Sequence, residues 1–295
     1  MVLSWPPFVR LGLDAEQYHL RKLASLLPLA AAAGYCFGAE YPARLAVMAA
    51  AAVVLRLALA RSGEARTGWA QALYEAALLS LLAPRALPWH MAWVCPALSL
   101  SLRWLLGGRE GLAPVNAPAA VLAGLLVFCG KGADILSGWP APAWFGPAAD
   151  QFFLSGALPA GVSVLAVAVL LRRLYKYRLV AAFMAPALFL SGLQVYTSGE
   201  WGAVAAQQLT ALNGLLVAAA FLAADESSTP RAGWAQSVQG LAAAAVFILF
   251  ARQGQLHQAV VWSAFIPSLA SPWLDAAAAY RKPLPLFREG AGARG

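Results

Sequence analysis

Ten stretches of mostly apolar residues run through the chain, each separated from the next by Gly, Pro or charge: 20–38, 43–62, 70–84, 88–106, 115–130, 152–171, 179–198, 204–224, 233–251 and 257–274. A helix needs about 20 apolar residues to cross the hydrocarbon of a bilayer. Most of these stretches approach that length, while the third and fifth are short. In lipid every backbone polar group must find its partner within the segment, which predicts helices rather than strands. The separators include Pro84-Arg85-Ala86-Leu87-Pro88 and Gly107-Gly108-Arg109-Glu110-Gly111. The pattern therefore predicts an all-α polytopic membrane protein, residues 1–295 forming one integral membrane domain.

Ten spans divide into five plus five, and a repeat with an odd number of spans inverts its topology on duplication. Such a division puts the first repeat at about 20–130, the second at 152–275 and a cytoplasmic tail at 276–295. The third and eighth stretches both end in polar, Pro-containing breaks, Pro84 to Pro88 and Asp225 to Pro230. The fifth begins at Asn116-Ala117-Pro118, and the tenth contains Pro267 and Pro272. Proline at such places marks kinks where freed carbonyls can line a site.

Charge fixes the orientation. Of 21 Lys and Arg residues, 17 fall on the side of the two termini: Arg10, Arg21, Lys22, Arg56, Arg61, Arg66, Arg103, Arg109, Arg172, Arg173, Lys176, Arg178, Arg231, Arg281, Lys282, Arg288 and Arg294. The other side keeps Arg44, Arg85, Lys131 and Arg252. The positive-inside rule makes the termini cytoplasmic and the location the plasma (inner) membrane.

Composition agrees, with 61% hydrophobic and 12% charged residues against about 25% charged in soluble domains. The net charge of +8 is read as cytoplasmic loops meeting anionic lipid rather than nucleic acid. The N-terminus, Met1 to Arg10 with two prolines, lacks an apolar h-region with a small-residue cleavage site, so no cleavable signal peptide is expected and the first span is expected to act as the targeting signal. Cys36, Cys95 and Cys129 show no ligand spacing and read as small apolar fillers, and no metal site is expected. His90 and His257 fall at the outer ends of the fourth and tenth stretches, a poor arrangement for bis-His haem. Trp89, Trp93, Trp139, Trp144, Trp201, Trp262 and Trp273 read as an interfacial belt. Gly130-Lys131-Gly132 lacks the spacing of a phosphate loop. The run Arg172 to Arg178 is an orientation signal between the two halves. Ionisable residues within spans usually mark ion pathways, and Glu75 is the best single candidate, with Arg56 and Arg103 near helix ends.

Several segments resemble a known family. Leu212-Asn213-Gly214-Leu215 and the run Phe221 to Pro230 are similar to the family segment G-x-M-L-G-A-F-F-M-A-T-D-P-V-T-S-P. Gly240 to Arg252 resembles the family's next helix, and Pro272-Trp273-Leu274-Asp275 its closing P-L-I-D. Upstream, Leu78 to Trp89, Gly107-Gly108-Arg109 and Asn116 to Ala120 match in the same order. The chain thereby resembles the RnfD/NqrB family, membrane components of Rnf electron-transport complexes and of the sodium-pumping NADH:quinone reductase. The resemblance implies ten helices in two inverted five-helix repeats of urea-transporter type, other membrane redox proteins of the same complex as partners, and FMN on an extracytoplasmic Thr of D-x-x-S-G-A-T.

Here Asp134, Ser137 and Gly138 keep their places in that motif, but Trp139 stands for Ala and Pro140 for the acceptor Thr. A second register, Ser155-Gly156-Ala157-Leu158-Pro159, has Leu158 at the acceptor. Neither Pro140 nor Leu158 carries a hydroxyl, so no covalent FMN is expected at the usual position. The charge map places 131–151 outside, the compartment where the family's attachment loop belongs. Ser137 and Gly138, with Asn116, Asp225, Ser228 and Thr229, are the candidates for holding FMN or riboflavin non-covalently. The expected function is an Rnf/Nqr-like membrane subunit, flavin-binding or scaffold, in electron transport coupled to ion movement. The alternatives are a small-solute or ion channel or transporter on the same fold, or a purely structural membrane subunit.

Overall fold

The structure is a computed structural model that describes residues 15–61, 68–83, 87–106, 115–130, 176–198, 214–225, 228–252 and 256–281. Among these residues the secondary structure is helical, with no strand. The helices are α1 Ala15–Phe37, α2 Glu40–Arg61, α3 Trp69–Leu82, α4 Trp89–Leu106, α5 Ala117–Gly130, α6 Tyr177–Ser198, α7 Gly214–Ala223, α8 Gly233–Arg252, α9 Leu256–Leu269 and α10 Ser271–Arg281. The expected span 152–171 lies outside the described residues.

Two short helices form the centre. In α3 every residue from Tyr74 to Leu82 is buried, and in α7 the same holds from Leu215 to Ala223. A helix that is apolar all round belongs inside other protein. Around α3 pack α1, α2, α4 and α5; α7 packs on α6 and α9. The two groups meet where α5 lies on α9, and α8 bridges α6, α9 and α10. By contrast α2 turns Val54 and Leu57 outward, as α1 does Leu27, α6 Phe189 and α8 Leu249. Together these side chains make an apolar exterior suited to lipid. Among the described residues two helices, Glu40–Arg61 and Gly233–Ala251, are long and apolar enough to cross a membrane.

Small residues and prolines set how closely the helices approach. Gly240 of α8 lies against the backbone of α6: an added Cβ there would overlap the Leu179 carbonyl oxygen and sit 2.9 Å from the Ala182 Cβ. The same seam continues in an edge-on contact of Phe183 with Phe247, ring centres 6.0 Å apart. Pro28, Pro96, Pro186 and Pro267 lie inside helices, as spanning helices tolerate where neighbours satisfy the freed groups. The start of α3 is closed from a distance. Gly68 is its extended N-cap, and the Ala70 N–H donates to Glu16 Oε1 of α1 at 2.9 Å. A side chain at Gly68 would occupy the space of that carboxylate.

One expectation is corrected. The stretch 257–274 is not one helix: α9 ends at Leu269 and α10 starts at Ser271. Pro272 has no N–H to give the Ser268 carbonyl, so the ladder is interrupted there. Helix α10 then runs to Arg281, so the first residues of the expected tail, 276–281, are helical. Trp262 is half-buried, its ring stacking on Phe250 at 6.5 Å and meeting Phe265 at 5.9 Å. Trp89, Trp93 and Trp273 are exposed as a belt requires. Trp139, Trp144 and Trp201 lie outside the described residues.

Candidate functional site

The polar interior of the molecule gathers at the broken end of α7. From Ala218 to Ala223 this helix winds as a π-helix, and Ala224 leaves helical geometry altogether. A π-turn and a helix end both release carbonyls from the i→i−4 ladder. These carbonyls are buried, so each calls for a donor. Tyr74 Oη of α3 donates to the Phe221 carbonyl at 2.9 Å. Asn116 Nδ2, just before α5, donates to Leu222 O at 2.5 Å. Thr229 Oγ1 donates to Ala223 O at 3.3 Å and also meets Asp225 O. Lys176, at the entrance to α6, donates to Asp225 O at 3.2 Å.

The side chain of Asp225 then enters a charge bridge. Arg103 of α4 is buried, its Nε 2.6 Å from Glu75 Oε1 of α3 and its Nη2 3.5 Å from Asp225 Oδ1. Ser99, one turn earlier on α4, donates to Glu75 Oε2 at 2.6 Å. With its amide turned so that oxygen meets donors and nitrogen meets acceptors, Gln71 accepts from Arg103 Nε at 3.1 Å and from Nη1 at 3.3 Å. Glu75 is only 1% exposed. One cation thus holds two carboxylates that arrive from opposite ends of the sequence. A buried pair is stable only when its remaining lone pairs and protons are satisfied, and Ser99 and Gln71 do that here. The planar guanidinium fork suits such multiple pairing, which a lysine could not reproduce.

The sequence candidates therefore divide. Glu75, Asn116, Asp225 and Thr229 come together at this break. Asn116 does double duty, since its Oδ1 also accepts from the Ala119 N–H at 3.1 Å and caps α5. Ser228 is buried close by, but its hydroxyl has no partner, nor has the amide oxygen of Gln239, whose Nε2 donates to Ser228 O at 3.2 Å. Ser137 and Gly138 lie outside the described residues. Arg103, placed by its sequence position near a helix end, proves central, and Lys176 and Tyr74 join it. Their only signal in the sequence is polarity at the edge of an apolar stretch. Tyr74 reads there as one more apolar residue. Among the described residues no cluster of His, Cys, Asp and Glu is able to hold a metal ion. His90 is exposed at the start of α4.

Asn116 allows a clean test. Replacing it by alanine removes a cap, worth about 1 kcal/mol, and strands the Leu222 carbonyl, at about 1–3 kcal/mol. The expected result is a lower thermal midpoint in detergent, followed by tryptophan fluorescence. Asn116→Asp keeps the cap acceptor but cannot donate to Leu222, so it is expected to recover no more than the cap share.

This arrangement defines a helical membrane protein whose two halves are joined by a buried ion bridge at a broken helix. The family model described as the NQR2, RnfD, RnfE family matches residues 156–282, less than half of the chain, and this segment is similar to that family. The matched segment contains α6 to α10 and the Asp225 break, while Glu75, Arg103 and Asn116 lie before it. Family members are membrane subunits of multi-subunit redox complexes that move ions. No curated protein matches the chain.

Proposed function

We propose that the protein is the membrane scaffold subunit of an Rnf/Nqr-like electron-transfer complex, working without covalent FMN and alongside partner redox subunits. The observation that carries this reading is the Glu75–Arg103–Asp225 bridge. It ties the family-matched break after α7 to helices of the first half, and in doing so it neutralises the intramembrane carboxylates. A carboxylate serving an ion path needs to exchange partners, whereas Glu75 is held by Arg103 and Ser99 together. That favours a fixed support over an autonomous ion channel.

The residues at the break fit a flavin poorly. Asp225 and Thr229 spend their polar groups on Arg103 and on backbone carbonyls, and Asn116 spends its own on Leu222 and Ala119. Of the candidates gathered there, Ser228 keeps a partnerless polar atom, as does its neighbour Gln239. No step of electron transfer is therefore assigned to this site. The ten-span, two-repeat architecture belongs to the same proposal. Its support is a recurring set of neighbours: α2 with α4, α4 with α5 and α3 with α5 correspond to α6 with α8, α8 with α9 and α7 with α9. On that reading α3 and α7 are equivalent third helices, both short and buried.

The test of the cofactor reading is the intact mass of the protein co-expressed with a flavin transferase. The polypeptide mass alone is expected, because proline at 140 offers no hydroxyl to a flavin phosphate. A gain of one FMN overturns it. The scaffold reading expects partner redox subunits to co-purify with the chain from its native membrane. Recovery of the chain alone under mild detergent overturns that part.

A further inference from the structure

We infer that Lys22 is the anchor of an anion site that takes a phosphate group, with the headgroup of an anionic phospholipid as the source its surroundings favour. Lys22 lies two turns into α1 and is 2% exposed. Its ammonium sits over two tyrosine rings, 5.1 Å from the centre of Tyr18 and 5.4 Å from that of Tyr74. Among the described residues no carboxylate pairs with it, and its only recorded hydrogen bond is made by its backbone carbonyl, which accepts from Ser25. The carboxylate nearest in sequence, Glu16, is committed to the Ala70 amide at the start of α3.

The charge balance at this end makes the imbalance plain. Among the described residues, the buried charged side chains on the side of the α7 break are Lys22, Arg103 and Lys176 against Glu75 and Asp225. Arg103 is matched by both carboxylates, and Lys176 rests on the Asp225 carbonyl. Among the described residues, Lys22 is the excess positive charge. The faces of two tyrosines attract a cation but replace only part of its lost hydration. A buried ion without a counter-ion is costly, and an oxyanion supplies both charge and acceptors for the three ammonium protons.

The surroundings point to lipid. Lys22 is flanked on α1 by exposed Leu20 and Leu27 and by exposed Arg21. By the charge map this end of α1 is cytoplasmic, where anionic headgroups collect basic side chains. A lysine stem running along apolar surface to reach a headgroup is ordinary behaviour at this depth. Tyr74 links the site to the ion bridge, because its ring carries Lys22 and its hydroxyl holds the Phe221 carbonyl. An anion bound at Lys22 would therefore tighten the same break that Arg103 closes.

The experiment uses the full chain, purified in neutral detergent free of phosphate and of added lipid. Its thermal midpoint is measured against inorganic phosphate, phosphatidylglycerol and phosphatidylcholine, with chloride matching ionic strength. The wild type is expected to gain several degrees with phosphatidylglycerol and nothing with phosphatidylcholine or chloride. A gain with inorganic phosphate alone keeps the anion site but assigns it to a free phosphate. Lys22→Met is expected to fold at least as stably as the anion-free wild type, since it removes an unpaired buried charge, and to lose the gain. Lys22→Gln serves the same purpose if the methionine variant does not accumulate. Arg21→Gln, which changes only an exposed cation, is expected to keep the gain in full. The proposal is overturned if the wild type responds to neither anion, or if the Lys22 variants respond as the wild type does.

Discussion

Arg103→Met will cost more stability than any other single charge removal in this protein. The substitution keeps the length and apolar body of the side chain and deletes the one cation between Glu75 and Asp225. Breaking a buried pair from one side leaves an uncompensated charge and costs about 3–5 kcal/mol. Here the deletion leaves two carboxylates, one of them almost wholly buried. The expected observation is loss of most monodisperse protein on size exclusion in detergent, or a large fall in thermal midpoint where it survives. Arg103→Lys is expected to fall between, because an ammonium supplies the charge but not the fork that reaches both partners. The decisive comparison is Glu75→Gln combined with Arg103→Met. If the loss arises from stranded charge, the double variant recovers part of it. If Arg103 matters only as packing, the double variant is no better than the single, and the bridge reading fails.

The second large effect is expected at Gly240. Alanine there adds one methyl group, which is trivial on a helix surface. In this position the methyl would overlap the Leu179 carbonyl and press on Phe183 N at 3.1 Å. Backbone cannot rotate away as a side chain can, so α6 and α8 must separate. Overpacking of this kind costs about 1–3 kcal/mol, and close helix contacts in membranes rest on small residues of this sort. Gly240→Ala is therefore expected to lower the thermal midpoint clearly, and Gly240→Leu to prevent folding. Gly124 on α5 is the control, because a Cβ there meets nothing within 4 Å. Equal losses at both positions would show that helix propensity, not the seam between α6 and α8, sets the cost.

These two effects separate what a sequence reveals from what it conceals. The membrane class, the helical class and most helix positions follow from hydrophobic length and Pro/Gly punctuation. Those signals are local, and lipid enforces them because an unsatisfied backbone cannot sit in hydrocarbon. The shortness of the third and fifth stretches is visible in the same way, and α3 and α5 are indeed 14 residues each. The tenth stretch misleads because apolar letters continue through Pro272, while the hydrogen-bond ladder does not.

The site is half legible. Glu75, Asn116 and Asp225 stand out as polar letters in apolar surroundings, and the family resemblance points to Asp225, Ser228 and Thr229. Their roles are not readable there. Thr229 and Asn116 look like ligand residues until the freed carbonyls of α7 show what they bind. Arg103 counts equally well as an orientation charge or as a buried bridge, since its spacing from Glu75 and Asp225 carries no periodic signal.

The sequence by itself determined the apolar, membrane-suited pattern of the helices, the side on which the basic residues gather along that pattern, and the proline at position 140. Only the tertiary structure decided that Glu75, Arg103 and Asp225 form one bridge, that Lys22 is buried over two tyrosine rings beside it, and that Gly240 sets a helix seam. The reason is physical. Transfer to lipid is a property of each segment and adds along the chain. Pairing of buried charge depends on distances of a few ångströms between residues separated by up to 122 positions in sequence (Arg103 and Asp225).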